Sequence, residues 1–323
     1  YADTRGPDTD LLSGFSIARD LEPNGVATYI RRAREAGGDF ALQATMDFPP
    51  DWMLVDPMTN QNVQPRYYDA LAEYYVRYLE AYEAEGIHID ELSPFNEPGH
   101  YTDIPMSDIH VILRDHVGPA FARAGITTGI MLGEVSAHDW AADWYPPLLD
   151  DAVLRPFISS MGYHDYDFAN FDRIAELHAA YPDIPIWQTE ACCLPTVPRY
   201  TFEHGDAWGD LLISDLETGT AAWLYWNMIL DETGGPWLVD PLHGNGDGNS
   251  QPALVTIDRT THEVFYTGVY WYLAHFSRYV RRGAVRIETT PTTAGDVRAI
   301  SFRGDAGGLV TVLVNRATSA RSV

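Results

Sequence analysis

From residue 25 to residue 228, stretches with an apolar side chain every three or four positions alternate with short, largely apolar runs. The first pattern predicts amphipathic helices over Gly25–Gly38, Pro65–Gly86, Ser107–Gly125, Phe168–Tyr181 and Asp206–Gly219, several of them stopping at a glycine. The second predicts buried strands over Phe40–Met46, Ile87–Phe95, Ile126–Gly133, Phe157–His164, Ile184–Glu190 and Ala221–Met228. Strand and helix alternate through six steps, as in βα units around a parallel sheet, so the class is α/β. A (β/α)8 TIM barrel needs eight strands, and in that fold two would precede residue 1. In the second helix, Leu71, Tyr75, Tyr78, Leu79 and Tyr82 line one face and are expected to pack in the core.

After Asp231 the pattern changes. A stretch rich in Gly, Pro and Asn (Gly234, Gly235, Pro236, then Gly244 to Asn249) leads to a helical pattern over Tyr266–Val280. Alternating strands follow at Ala284–Thr289, Val297–Phe302 and Leu309–Asn315. The expected division is a partial barrel over 1–280 and the start of a C-terminal β-sandwich over 281–323.

With 323 residues and 46% hydrophobic content the chain can bury a sizeable core, which excludes disorder. A net charge of −25, from 46 acidic and 21 basic residues, repels phosphate backbones and anionic lipid, so no nucleic-acid partner is expected. Every basic residue is Arg; without Lys there is neither a Schiff-base lysine nor a phosphate-loop lysine. Cys192 and Cys193 are adjacent and expected not to pair with each other, and Cys192 reads as a small buried side chain. No apolar run reaches the length of a membrane span. The eleven histidines show no metal-ligand spacing, and Gly244–Asn249 lacks the closing Glu of a calcium loop, so no metal is assigned.

A barrel enzyme builds its site at the carboxyl ends of its strands. Counting the two that would precede residue 1, the fourth strand ends in Asn96-Glu97-Pro98, the seventh in Gln188-Thr189-Glu190, and the eighth in Trp226-Asn227. Two carboxylates on nearly opposite strands suit glycoside hydrolysis, with retention at a gap of about 5–5.5 Å and inversion at roughly 6.5 Å or more. Asn96 could bind a sugar hydroxyl, and Trp226 offers a flat apolar face to a pyranose. Tyr166, in Tyr163-His164-Asp165-Tyr166, could donate its phenol hydrogen to Glu190 and keep that carboxylate ionised. Asp47, Glu91 and Glu134 also lie near strand ends, where structural bonding is the commoner use of a carboxylate.

Four segments carry a resemblance: Ser-Pro-Phe-Asn-Glu-Pro at 93–98, Gln-Thr-Glu-Ala-Cys at 188–192, Trp-Asn-Met-Ile-Leu-Asp-Glu-Thr-Gly-Gly-Pro at 226–236, and Tyr-Leu-Ala-His-Phe-Ser-Arg-Tyr at 272–279. In that order, over essentially the whole chain, the sequence resembles glycoside hydrolase family 30, nearest its glucosylceramidase-like branch. The resemblance implies a retaining β-glycosidase on a (β/α)8 barrel joined to a β-sandwich, here lacking the first two barrel strands. It makes Glu97 the acid/base, Glu190 the nucleophile and Asn96 the hydroxyl-binding amide; Trp226 and Asn227 join the glycone pocket, and His164 and Tyr166 match a His-x-Tyr segment. Where glucosylceramidases show a Trp after the third strand, this chain has Asp47, a candidate specificity residue. Branches that cleave β-1,6-glucans, β-1,6-galactans or xylans are the alternative, and a silent carbohydrate-binding or scaffold protein is the reading from a different class. The chemistry implied needs no cofactor, its partner is a carbohydrate or glycolipid, and secretion is expected.

Overall fold

In a computed structural model, the fold is described for residues 1–194, 201–235, 251–290 and 296–321. The Gly244–Asn249 segment and Pro236 lie outside the described residues. The chain divides into two compact units, Tyr1–His164 with Ala179–Trp187, and Asp165–His178 with Gln188–Val323. No helix of the described residues is long and apolar enough to cross a membrane.

In the first unit, parallel strands Gln43–Thr45, Glu91–Ser93, Gly129–Val135 and Ile158–His164 lie side by side in chain order. Gln43 pairs with Glu91 and Thr45 with Ser93, which brings the Met46–Asp47 turn beside the segment that follows Ser93. The N–H of Met161 donates to Pro185 and attaches the next strand, Ile186–Glu190, whose last residues belong to the second unit. Each strand is shorter than its apolar run at one or both ends; Gly129–Val135 starts three residues later than its run and ends two residues beyond it. Ile87 is buried, but its N–H closes the preceding helix onto Tyr82, and the Asp90 carboxylate takes the N–H of Leu42 where a ladder bond would be.

The helix Tyr68–Ala84 lays Leu71, Tyr75, Leu79 and Tyr82 of the expected stripe into the core, while Tyr78 stays half-buried. Two of these tyrosines also reach polar partners at their buried tips: Tyr82 donates to Asp20 at 2.6 Å, and Tyr75 to the carbonyl of Pro94 at 2.5 Å. The predicted helix over 107–125 is one continuous run built from Met106–Val111, a π-turn Ile112–Val117 and Gly118–Ala124. A hairpin, Leu54–Asp56 with Asn60–Val63, and the helix His138–Trp144 are additions that the hydrophobic pattern does not announce.

In the second unit, Leu224 N–H donates to Gln188, joining Thr220–Trp223 to Ile186–Glu190. The run Ala221–Met228 is therefore not one strand. It stops at Trp223, passes a cis Trp226–Asn227 peptide, and resumes as Ile229–Asp231 in a separate three-stranded sheet with Val255–Ile257 and Val264–Tyr266.

Helices Phe202–Glu217 and Gly268–Ser277 approach so closely that a Cβ on Gly209 would meet the Tyr272 ring at 2.4 Å. An antiparallel sheet of Val285–Ile287, Val297–Arg303 and Leu309–Asn315 buries Ile300, Phe302, Val312 and Val314 with Leu212, Ile213 and Phe276. Arg298 fastens it to the first helix, donating to Asp210 at 2.8 Å, Ser214 at 2.9 Å and Glu217 at 2.6 Å. The expectation for the cysteines is overturned: Cys192 and Cys193 form a disulfide, with Cys193 in the left-handed region at φ 62°.

Candidate active site

Glu97 sits in the first unit, on the segment leaving Glu91–Ser93. Three hydrogen bonds hold that segment: the Tyr75 phenol donates to the carbonyl of Pro94, the N–H of Asn96 donates to the carbonyl of Met46 at 3.0 Å, and the N–H of Glu97 donates to the carbonyl of Glu134 at 3.0 Å. The carbonyl of Glu97 then receives the N–H of His100 at 3.0 Å and of Tyr101 at 2.8 Å, a tight turn that needs Glu97 at φ 42°. A non-glycine residue in this region stores strain, and such strain concentrates at functional positions.

The Glu97 side chain is buried, 8% exposed, and each oxygen meets an imidazole. Oε1 lies 2.8 Å from Nδ1 of His164 and Oε2 lies 2.9 Å from Nδ1 of His100. Since a carboxylate can only accept, both ring nitrogens donate. Burial pushes this carboxyl up, but the hydrogen bonds and charge of His164, then of His100, outweigh it and hold the group below its ordinary value. An acid/base residue would ordinarily be raised, so the histidines set the acidity of this group.

Behind His164 stands Glu134. A Cβ on Gly133 would lie 1.9 Å from the Tyr145 phenol oxygen, and Gly133 takes φ 123°. The pairing register shifts at this point, between Gly133 and Val135, and the intervening Glu134 is buried at 2% exposure. Its carboxylate accepts from Gln43 Nε2 at 2.6 Å and Thr45 Oγ1 at 2.7 Å, and Oε1 lies 3.8 Å from Nε2 of His164. Glu91, by contrast, accepts from Ser159 at 2.6 Å and Ser160 at 2.9 Å, and burial raises its carboxyl.

Glu190 lies in the second unit, half-buried, at the end of its strand. The phenol of Tyr166 donates to its Oε1 at 2.6 Å, the contact expected from the sequence. Trp226 is tied beside it, its main-chain N–H donating to the carbonyl of Ala191 at 2.9 Å, while the residue is 43% exposed. Trp226 Nε1 and Asn227 Nδ2 share Oε1 of Gln251, at 3.1 and 2.8 Å. The structure thus gathers Asn96, Glu97 and His164 in the first unit, with an exposed Asp47 next to the Met46 carbonyl that holds Asn96. In the second unit it gathers Tyr166, Glu190, Trp226 and Asn227. Trp226 and Asn227 lie beyond the end of Thr220–Trp223, not within it.

Sequence reasoning missed His100 and Gln251, and took Glu134 for a structural group without seeing His164 beside it. The spacing Glu-x-x-His at 97–100 is a local signal, but its meaning depends on the positive φ of Glu97. The second unit also holds a cavity of about 1000 Å3 lined largely by Leu212, Leu216, Trp223, Leu273 and Phe276. Neither Glu190 nor Tyr166 lines it.

The family profile described as the glycosyl hydrolase family 30 TIM-barrel domain matches residues 12–280. A Caenorhabditis elegans protein provisionally named glucosylceramidase 4 is 27% identical over 96% of this chain, which spans 62% of that relative's length. An endo-1,6-β-D-glucanase of Neurospora crassa is 26% identical over 98% of the chain and 66% of its own length. Among solved structures, SrfJ of Salmonella typhimurium superposes with a TM-score of 0.84 at 23% identity, over 96% of this chain and 69% of its own. The match across residues 12–280, on a chain whose parallel strands alternate with helices, shows that the protein belongs to glycosyl hydrolase family 30.

Proposed function

We propose that this protein is a retaining β-glycoside hydrolase working by double displacement, with Glu190 as nucleophile and Glu97 as acid/base. The observation that carries this reading is the contrast between the two carboxylates. Glu97 is buried between two imidazoles, groups that hold and move protons near neutral pH, whereas Glu190 takes a phenol hydrogen that favours its ionised form. Glu190 attacks the anomeric carbon as the glycosidic C–O bond breaks and the proton of Glu97 passes to the leaving oxygen. Glu97, now a carboxylate, takes a proton from water, which attacks the same carbon and releases Glu190; two inversions give net retention. Asn96 is assigned to a sugar hydroxyl, and Trp226 and Asn227 to the glycone. The reaction is placed in the barrel, residues 1–280, with residues 281–323 as a β-sandwich portion and the protein secreted.

The substrate class is a β-glucoside of the glucosylceramidase type. A second reading, an endo-acting β-1,6-glucanase, galactanase or xylanase, is favoured by the exposed Asp47, because a carboxylate there would accept sugar hydroxyls where an indole would stack. Activity of the purified protein on aryl β-glucosides, β-1,6-glucan, β-1,6-galactan and xylan separates these readings, and hydrolysis of none of them would leave a carbohydrate-binding role. Glu190→Ala should abolish turnover, and azide should restore it with a glycosyl azide of inverted configuration. An azide adduct of retained configuration would show that the roles of Glu97 and Glu190 are exchanged.

A further inference from the structure

Both oxygens of Glu97 are occupied by imidazole N–H groups, yet an acid/base residue must present one of them, carrying a proton, to the leaving oxygen. The two histidines differ in how free they are to give way. His164 ends the strand Ile158–His164, is 1% exposed, and has Glu134 behind it at 3.8 Å. His100 lies on the turn after Glu97, and its side chain is 61% exposed. Trp140 of the helix His138–Trp144 stands edge-on to its ring, at 6.3 Å between centroids. Oε1 is therefore committed inward, and Oε2 is the oxygen that can be vacated.

Resting on the assignment of Glu97 as acid/base, we propose that His100 is a positioning residue that holds Oε2 of Glu97 in the free enzyme and is displaced from it by the leaving group of the substrate. As the leaving group arrives, the Nδ1–H of His100 lets go of Oε2 and the ring turns toward solvent. Oε2 then takes a proton from a hydronium ion of the solvent, leaving water, and Glu97 is protonated where the glycosidic oxygen arrives. When product departs, the proton taken from the attacking water passes from Oε2 to solvent and the ring returns. Within the first unit, His164 from its strand and Glu134 from Gly129–Val135 face this pair, with the Glu134 carboxylate held by donors from Gln43 and Thr45, and the helix that carries Trp140 also bears Asp139 and Asp143. Substrate binding thus loads the proton, and the free enzyme keeps Glu97 ionised.

The test is the pH dependence of the wild-type protein and of His100→Ala, read separately in kcat/KM and kcat. The basic limb of kcat/KM reports Glu97 in the free enzyme and that of kcat reports it in the complex. In the wild type, the kcat/KM limb should fall at lower pH than the kcat limb, by about one pH unit, a tenfold difference in proton affinity. In His100→Ala the kcat/KM limb should rise to meet the other. Coincident limbs in the wild type overturn the proposal without any substitution, and so does a variant whose gap is unchanged. Glu97→Gln supplies the separation from the assignment beneath it: as acid/base, its loss should spare 2,4-dinitrophenyl glycosides in glycosylation and cripple alkyl glycosides. If that leaving-group dependence holds while the limbs coincide, only the displacement of His100 fails. If it is absent, the acid/base assignment fails with it.

Discussion

Replacing Tyr166 with Phe removes one hydrogen from the surroundings of Glu190 and little volume. The phenol donates to Oε1 at 2.6 Å, a short bond to a group that must be ionised to attack carbon. A hydrogen bond to a charged acceptor contributes about 1.5–3 kcal/mol. Because the protonated acid keeps only the weaker neutral bond, worth about 0.5–1.5 kcal/mol, the difference between protonation states is about 1–1.5 kcal/mol. At 1.36 kcal/mol per pKa unit it corresponds to roughly one unit. The donor holds the nucleophile ionised at lower pH, so its loss moves the acidic limb of kcat/KM upward by that amount. The plateau above the limb should change less, because the carboxylate is ionised there with or without the phenol. Initial rates on an aryl β-glucoside from pH 3 to pH 8, with circular dichroism to verify folding, would measure the limb in both proteins. An acidic limb that stays within about 0.3 unit of wild type would refute the reasoning, since so small a shift amounts to well under 1 kcal/mol.

Two further outcomes follow from the second unit. Trp208 is fully buried, with its Nε1 donating to His204 at 3.0 Å and the rings of Trp223 and Tyr225 against it at 5.9 and 5.2 Å. Trp208→Ala should destabilise the fold by about 3–5 kcal/mol in urea titrations, and a loss below about 1 kcal/mol would mean that this cluster is not a core. The disulfide predicts that the unfolded, unreduced protein shows no thiol toward an aromatic disulfide reagent and that reduction exposes both cysteines; thiol titre before reduction would contradict it.

The parallel strands were legible because a strand buried in the middle of a sheet, as Gly129–Val135 and Ile158–His164 are, reads as a short, largely apolar run between helical patterns. Their ends were not. Ile87 and Ile89 are as apolar and buried as strand residues, but the backbone there bonds to a helix end and to a side chain. Hydropathy reports burial and not the partner of an N–H group. The hairpin over 54–63 escaped for the opposite reason: only Leu54 and Val63 are buried, and its middle is Asp, Pro and Asn. Glu97 and Glu190 stood out because a carboxylate ending an apolar run is costly without a use. His100 and Glu134 did not, because one depends on a left-handed residue in a turn and the other on a slipped register. Neither of these backbone features has a periodicity.

The bond between Cys192 and Cys193 is unlike most cross-links in what it can do for the chain. A disulfide ordinarily stabilises by shrinking the ensemble of the unfolded polymer, and that gain grows with the length of chain it closes. Here the partners are neighbours in sequence, so the loop contains no intervening residue and the unfolded coil loses almost no freedom. Its influence is confined to the dihedral angles of a single peptide link. That link begins two residues past Glu190, and Cys192 Sγ lies 3.9 Å from the Tyr166 phenol oxygen. Oxidation state is thereby decoupled from global melting: the chain carries a covalent constraint whose reach is one turn of backbone beside the proposed nucleophile.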